Sequence, residues 1–266
     1  MAEASDMTAE SWQPPPNHPI DEGRAREIVA LISAPTKEFI ASCCVPLYWW
    51  RTSDRAVLGN GTVTLVQTPR RIIGLTANHV VTGCLEAFES GSAVVQLPGA
   101  SLHDLRARLI SQSEELDLAS FHLDGLMERL SRLGHGWTPK VPLASWPPTP
   151  PQEGRGIMIG GFPGIGRQTI DPYNISFGIF TALAIARTVS DDQISCLFER
   201  EYLTDAGDLP PNTDLGGISG GPVITVIESP SFFVSYRLGG IVSEASSELE
   251  KVFAKRADVL RDDGSF

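Results

Sequence analysis

The segment Gly216-Gly217-Ile218-Ser219-Gly220-Gly221-Pro222 places one serine among four glycines. Such a run lets the backbone turn tightly, exposes the hydroxyl and leaves backbone N–H groups free to face a developing oxyanion. A serine hydroxyl is a weak nucleophile until a neighbouring base takes its proton. Five histidines could supply that base, namely His18, His79, His103, His122 and His135, and all of them precede Ser219.

That order decides between two templates. The G-x-S-x-G string also fits the nucleophile elbow of α/β-hydrolases, but there the histidine follows the serine. His79, in Leu75-Thr76-Ala77-Asn78-His79-Val80-Val81, ends an apolar strand that could hold an imidazole rigidly. His18 lies in a polar tail, His135 in a loop, and His103 lacks a strand context. His122 alternates with apolar neighbours and reads as structural. A catalytic histidine must be oriented by a carboxylate that fixes its tautomer. Asp117, in Glu115-Leu116-Asp117-Leu118-Ala119-Ser120-Phe121, is a single acid at the start of an apolar strand. A carboxylate there is costly unless something specific accepts its charge. Asp104 and Asp124 sit in polar, loop-like surroundings. Each residue alone has an ordinary reading: a glycine-rich turn, a structural histidine, a turn aspartate.

The elements that must position these residues come from pattern. The chain has 266 residues, 42% of them hydrophobic, and 45 are Gly or Pro, which suits a turn-rich β protein with a substantial core. Residues 1–37 read as a disordered tail followed by a helix, with Asp21 as N-cap, Ala25, Ile28, Val29 and Ile32 on one face, and Pro35 as the stop. Strand texture runs over 38–125, with Gly61–Gln67 alternating Thr62 and Thr64 against Val63 and Leu65. Residues 126–155 read as a short helix and a linker, since Pro147, Pro148, Pro150 and Pro151 deny a sheet its donors. Strands resume over 156–248. Over 249–266, Leu249, Val252, Phe253, Arg256 and Leu260 share a helical face, which predicts a C-terminal helix.

With order and spacing added, the chain resembles a trypsin/chymotrypsin-fold serine peptidase, most closely the disulfide-free, HtrA-like bacterial branch. The matching strings are Thr-Ala-x-His at His79, Asp-Leu-Ala at Asp117 and Gly-x-Ser-Gly-Gly-Pro at Ser219. Ile159–Gly164 and Leu238–Ser243 agree as two further strands, and the likeness covers roughly residues 38–248. It implies an all-β fold of two six-stranded antiparallel β-barrels, framed here by short N- and C-terminal helices. It also implies a His79–Asp117–Ser219 triad in the cleft between barrels, with the N–H groups of Gly217 and Ser219 as oxyanion hole. By the same likeness Thr213 and Asp214 lie near the base of the specificity pocket and Ala245 near its wall. Ser243, Glu244 and Ala245 form the strand along which a peptide substrate adds. Asp214 either attracts an Arg or Lys side chain or joins a loop network; in the second case Thr213 favours small or medium apolar side chains.

Departures bear on regulation. Ile218 stands where many secreted relatives carry the Asp that pairs with a newly cleaved N-terminus, so that activation route is not expected. Val80 replaces the cysteine of a common disulfide. Asn78 replaces a usual Ala, and the residues after 248 leave no room for a PDZ module. Cys43, Cys44, Cys84 and Cys196 fit neither a zinc site nor a redox pair, so no metal and no cofactor is expected. They read as buried small hydrophobes in a reducing compartment, with Cys43 and Cys44 on opposite faces of a strand. The first twenty residues lack the pattern of a signal peptide, and no run is long enough to span a bilayer. A net charge of −11 argues against nucleic acid and acidic membrane surfaces as partners. The expectation is a cytoplasmic serine endopeptidase acting on a protein or peptide substrate, with a regulatory partner controlling latency. The alternatives are a latent or non-catalytic peptide-binding sensor of the same fold, or another acyl hydrolase.

Overall fold

The computed structural model describes residues 34–53, 56–91, 93–131, 143, 146–171, 174–197, 213–228, 234–246 and 251–266. The expected tail and helix before residue 34, and with them His18 and His135, lie outside the described residues.

The fold is mostly β. In the first lobe a seven-stranded sheet runs in the order β5-β4-β1-β2-β3-β7-β6. Its strands are β1 (Cys44–Arg51), β2 (Val57–Gln67), β3 (Ile72–Ala77), β4 (Ala93–Leu97), β5 (Ala100–Ser101), β6 (Leu109–Ser113) and β7 (Leu118–His122). In the second lobe six strands close into a barrel in the order β11-β12-β15-β14-β13-β8. These are β8 (Gly156–Gly161), β11 (Phe180–Val189), β12 (Gln193–Leu197), β13 (Pro222–Glu228), β14 (Val234–Ser246) and β15 (Lys251–Arg256). A hairpin of β9 (Arg167–Asp171) and β10 (Asn174–Phe177) stands outside both. A curled sheet beside a closed barrel is consistent with the expected two-barrel architecture. Closure removes the exposed edges that short strands would otherwise present.

Helices are short. Residues 34–43 form α1, followed by α2 (Asn78–Glu89), α3 (Leu105–Arg108) and α4 (Met127–Ser131). Helical residues lie on both sides of Pro35, and the helix expected to stop there lies outside the described residues. Pro35 lies at the beginning of the described helical residues, where a missing N–H withdraws no bond from the turns that follow. Cys43 and Cys44 therefore straddle a helix–strand junction instead of alternating along one strand. Both thiols lie near the Ile40 carbonyl, at 3.5 and 3.1 Å, and both are buried. None of the four cysteines is in a disulfide.

The predicted C-terminal helix is also corrected. Residues 251–256 form β15, the strand that joins β12 to β14 and closes the barrel. Val252 and Ala254 are fully buried while Lys251 is exposed and Phe253 and Lys255 are half-buried. That alternation has period 2, and it prevails because the strand fills a gap in the ladder that a helix would leave open. The proline-rich linker contains no strand over 146–155 and lies against the barrel, with Thr149 N–H donating to Leu238 O and the Thr225 hydroxyl to Thr149 O.

Each lobe has its own core, and a third apolar layer joins them. Val66, Ile73, Leu75 and Leu118 of the sheet pack in one cluster with Met158, Phe162, Ile224 and Ile241 of the barrel. Ala257 and Leu260, beyond β15, belong to the same cluster, and the Ser120 hydroxyl donates to Gly264 O at 2.6 Å. The lobes are thus fixed to each other around the cleft that carries the candidate site. Among the described residues no helix is long and apolar enough to cross a membrane.

Candidate active site

β3 delivers the chain to its end at Ala77, and α2 begins at once, so His79 stands in the first turn of a helix. The helical signal is present in the sequence: Val80, Val81, Cys84 and Leu85 recur on one buried face. The first N–H groups of a helix need external acceptors, and Ala77, at the N-cap, offers no side-chain bond. Asp117 supplies them across space. Its carbonyl accepts the Asn78 N–H and its carboxylate accepts the His79 N–H, both at 3.1 Å. A carboxylate at this end also complements the helix dipole.

The same carboxylate holds the imidazole. His79 Nδ1 lies 3.0 Å from Asp117 Oδ2 and 3.1 Å from Oδ1. An ionised carboxylate only accepts, so Nδ1 carries the proton and Nε2 keeps its lone pair for a base role. To reach both partners Asp117 adopts φ 45°, the left-handed region that Asp and Asn enter more readily than most residues. A Gln112 side chain donates to Asn78 Oδ1 at 2.7 Å, steadying the residue before the imidazole.

Ser219 comes from the turn that leads into β13. The bonds of that turn account for its N–H groups one by one. Gly216 N–H donates to Asp214 Oδ1, Ile218 to Leu215 O, Gly220 to Val242 O and Gly221 to Ile218 O. Among the described residues the N–H groups of Gly217 and Ser219 have no acceptor. These two are the donors expected of an oxyanion hole. Gly217 takes φ 102°, open to glycine alone among ordinary choices, with its carbonyl accepting the Thr62 hydroxyl at 2.9 Å.

The first lobe clamps this turn and Phe162, which follows β8. Thr62 N–H donates to Ser219 O at 2.8 Å, the Thr64 hydroxyl to Gly220 O at 2.9 Å, and Asn60 Nδ2 to Phe162 O at 2.8 Å. Thr62 Oγ1 also accepts the Phe162 N–H at 2.9 Å. Gly220, at φ 91°, has no room for a side chain, since a Cβ would lie 1.9 Å from Thr62 O. Thr62 and Thr64 read in the sequence only as the outward positions of a half-buried strand. In the structure both are fully buried and spend their hydroxyls on the second lobe.

His79, Asp117 and Ser219 line one open cleft of about 530 Å³, together with Asp214, Ser243, Glu244 and Ala245. The Ser219 hydroxyl donates to Ser243 O at 2.9 Å, and no hydrogen bond joins it to His79. The carboxylate of Asp214 faces its own loop through the bond to Gly216 N–H. Thr213 is buried and is not among the side chains that line the cleft. Sequence reasoning missed Gln193 and Lys255, which line it from β12 and β15. The alternation of β15 was the signal that would have turned Lys255 outward. His122 sits at the end of β7, 3.2 Å from an Arg71 nitrogen, and His103 is exposed in a turn; neither lines the cleft. Among the described residues no group of three or more His, Cys, Asp or Glu could hold a metal ion.

No family model matches the chain, and no curated protein matches it. Among solved structures it aligns with the serine endoprotease from Yersinia pestis at a TM-score of 0.48 and 14% identity. The alignment covers 85% of this chain and 63% of that one, so the chain spans less than two thirds of that protein's length.

Proposed function

We propose that this chain is an intracellular serine endopeptidase that works through an acyl-enzyme intermediate. The observation that carries the reading is the Asp117–His79 pair on the wall of the cleft that also holds Ser219. In the reaction the Ser219 hydroxyl leaves Ser243 O, gives its proton to His79 Nε2 and attacks the substrate carbonyl. The imidazolium, stabilised by ionised Asp117, then protonates the leaving amine, and water hydrolyses the acyl-serine by the same steps reversed. The free N–H groups of Gly217 and Ser219 donate to the oxyanion, each worth about 3–4 kcal/mol in the transition state.

The alternative is a latent or non-catalytic peptide-binding module, and one observation favours it: the hydroxyl rests on Ser243 O and not on the imidazole. Labelling with a fluorophosphonate probe, followed by mass spectrometry, separates the two. Labelling at Ser219 that disappears in Ser219→Ala supports the peptidase. Absence of labelling in folded protein supports the latent module. Peptide turnover should fall by about 10⁶ in Ser219→Ala, and a variant that keeps turnover refutes the assignment of the nucleophile. The reducing compartment is supported by four buried thiols, none of them in a disulfide.

A further inference from the structure

Within the endopeptidase reading, on which this inference rests, we propose that Lys255 selects substrates with an acidic side chain on the residue whose carbonyl Ser219 attacks. β15 runs between β14 and β12, with Lys255 opposite Ile241 on one side and Gln193 on the other. Because Val252 and Ala254 fill the barrel core, the alternate positions face away from it, and Lys255 lines the cleft with Ser219 and Ser243. It is half-buried, and among the described residues no ion pair joins it to a carboxylate. Its field reaches Asp192, whose carboxyl is held below its usual range first by the Ser190 hydroxyl and only lastly by Lys255.

None of the acids of the cleft pairs with it directly. Asp117 is engaged by His79 and Asp214 by the Gly216 N–H. Glu244 is exposed, where solvent and salt screen it. A cation partly withdrawn from water and without a direct ion pair is a favourable partner for an incoming carboxylate. Gln193, beside Lys255 across the ladder, has an amide that can donate to the same carboxylate. A charge-assisted hydrogen bond of this kind gives about tenfold or more in kcat/KM over the uncharged isostere.

The test is a series of fluorogenic peptides that differ only at the residue before the scissile bond: Glu, Asp, Gln, Ala, Leu and Arg. Glu should exceed Gln by about tenfold or more at low salt, with the ratio shrinking as salt rises. Lys255→Met should bring Glu and Gln together, and Lys255→Glu should shift preference toward Arg. Equal turnover of Glu and Gln, or preference for Arg, in parent protein that labels at Ser219 overturns the role of Lys255 and leaves the peptidase reading intact. Failure of Ser219 to label removes both. The substrate series on the parent protein decides the matter even if a Lys255 variant does not fold.

Discussion

Thr62→Val keeps the shape of the side chain and removes only the hydroxyl, so it isolates what the first lobe does for the nucleophile's turn. That hydroxyl accepts the Phe162 N–H and donates to Gly217 O, both at 2.9 Å, at a residue with no solvent exposure. In the variant the buried Phe162 N–H loses this partner at about 1–3 kcal/mol and the half-buried Gly217 carbonyl, which water can reach, loses less, which predicts a loss of about 1–4 kcal/mol in unfolding free energy. The backbone bond from Thr62 N–H to Ser219 O survives, so the turn is loosened and not detached. Freed from its carbonyl anchor, the Gly217–Ile218 peptide can rotate about Gly217, and the Gly217 N–H on the adjoining peptide is then less well aimed at the oxyanion position. Losing one such donor costs about 10²–10³ in kcat. Urea unfolding followed by tryptophan fluorescence, with peptide turnover measured in parallel, reads both effects. A variant within about 0.5 kcal/mol of the parent would refute the reasoning, because that is the range of surface substitutions. Lost stability with unchanged kcat would show instead that Gly217 is held by the rest of its loop.

Two further outcomes are expected. Asp117→Asn should keep the fold, since Asn tolerates the left-handed backbone, but it should lower kcat by about 10⁴ by disturbing the tautomer of His79; circular dichroism beside turnover separates the two effects. Burial pushes the Cys196 thiol up to about 12 from 9.0. Its folded pKa is raised, so its contribution is complete below the unfolded value and is lost as pH climbs from there through the folded value. Thermal midpoints should therefore fall above about pH 9, and the Cys196→Ala profile should be flatter in that window.

The candidate triad was legible because its chemistry is carried by short strings. A glycine-bounded serine, a histidine at a strand end and an acid at a strand start each have a local signature, and their order excluded one competing template. Strands such as 61–67 were legible from alternation. What escaped was set by tertiary partners. Residues 251–256 satisfy a helical face and a strand face at once, and only the open ladder between β12 and β14 decides for the strand. Residues 39–43 are apolar enough for either state, and a helix end packed on the inter-lobe cluster claims them. Asp117 as the cap of α2 could not be read at all, because the helix and its acceptor are 38 residues apart.

The turn that carries Ser219 belongs to the second lobe by sequence and to both lobes by bonding. Neither half of a chain divided within the linker contains all the partners that shape it: one half holds Thr62 and Thr64, the other holds Gly217 and Gly220, whose carbonyls they grip. Reactivity of the serine is therefore a property of the assembled pair, and reunited halves would report their encounter by regaining it. The same dependence limits exchange between related chains. A transplanted second barrel carries its nucleophile but not the hydroxyls that set the angle of the turn, so the smallest unit that can be inherited intact is the barrel together with one strand of its neighbour.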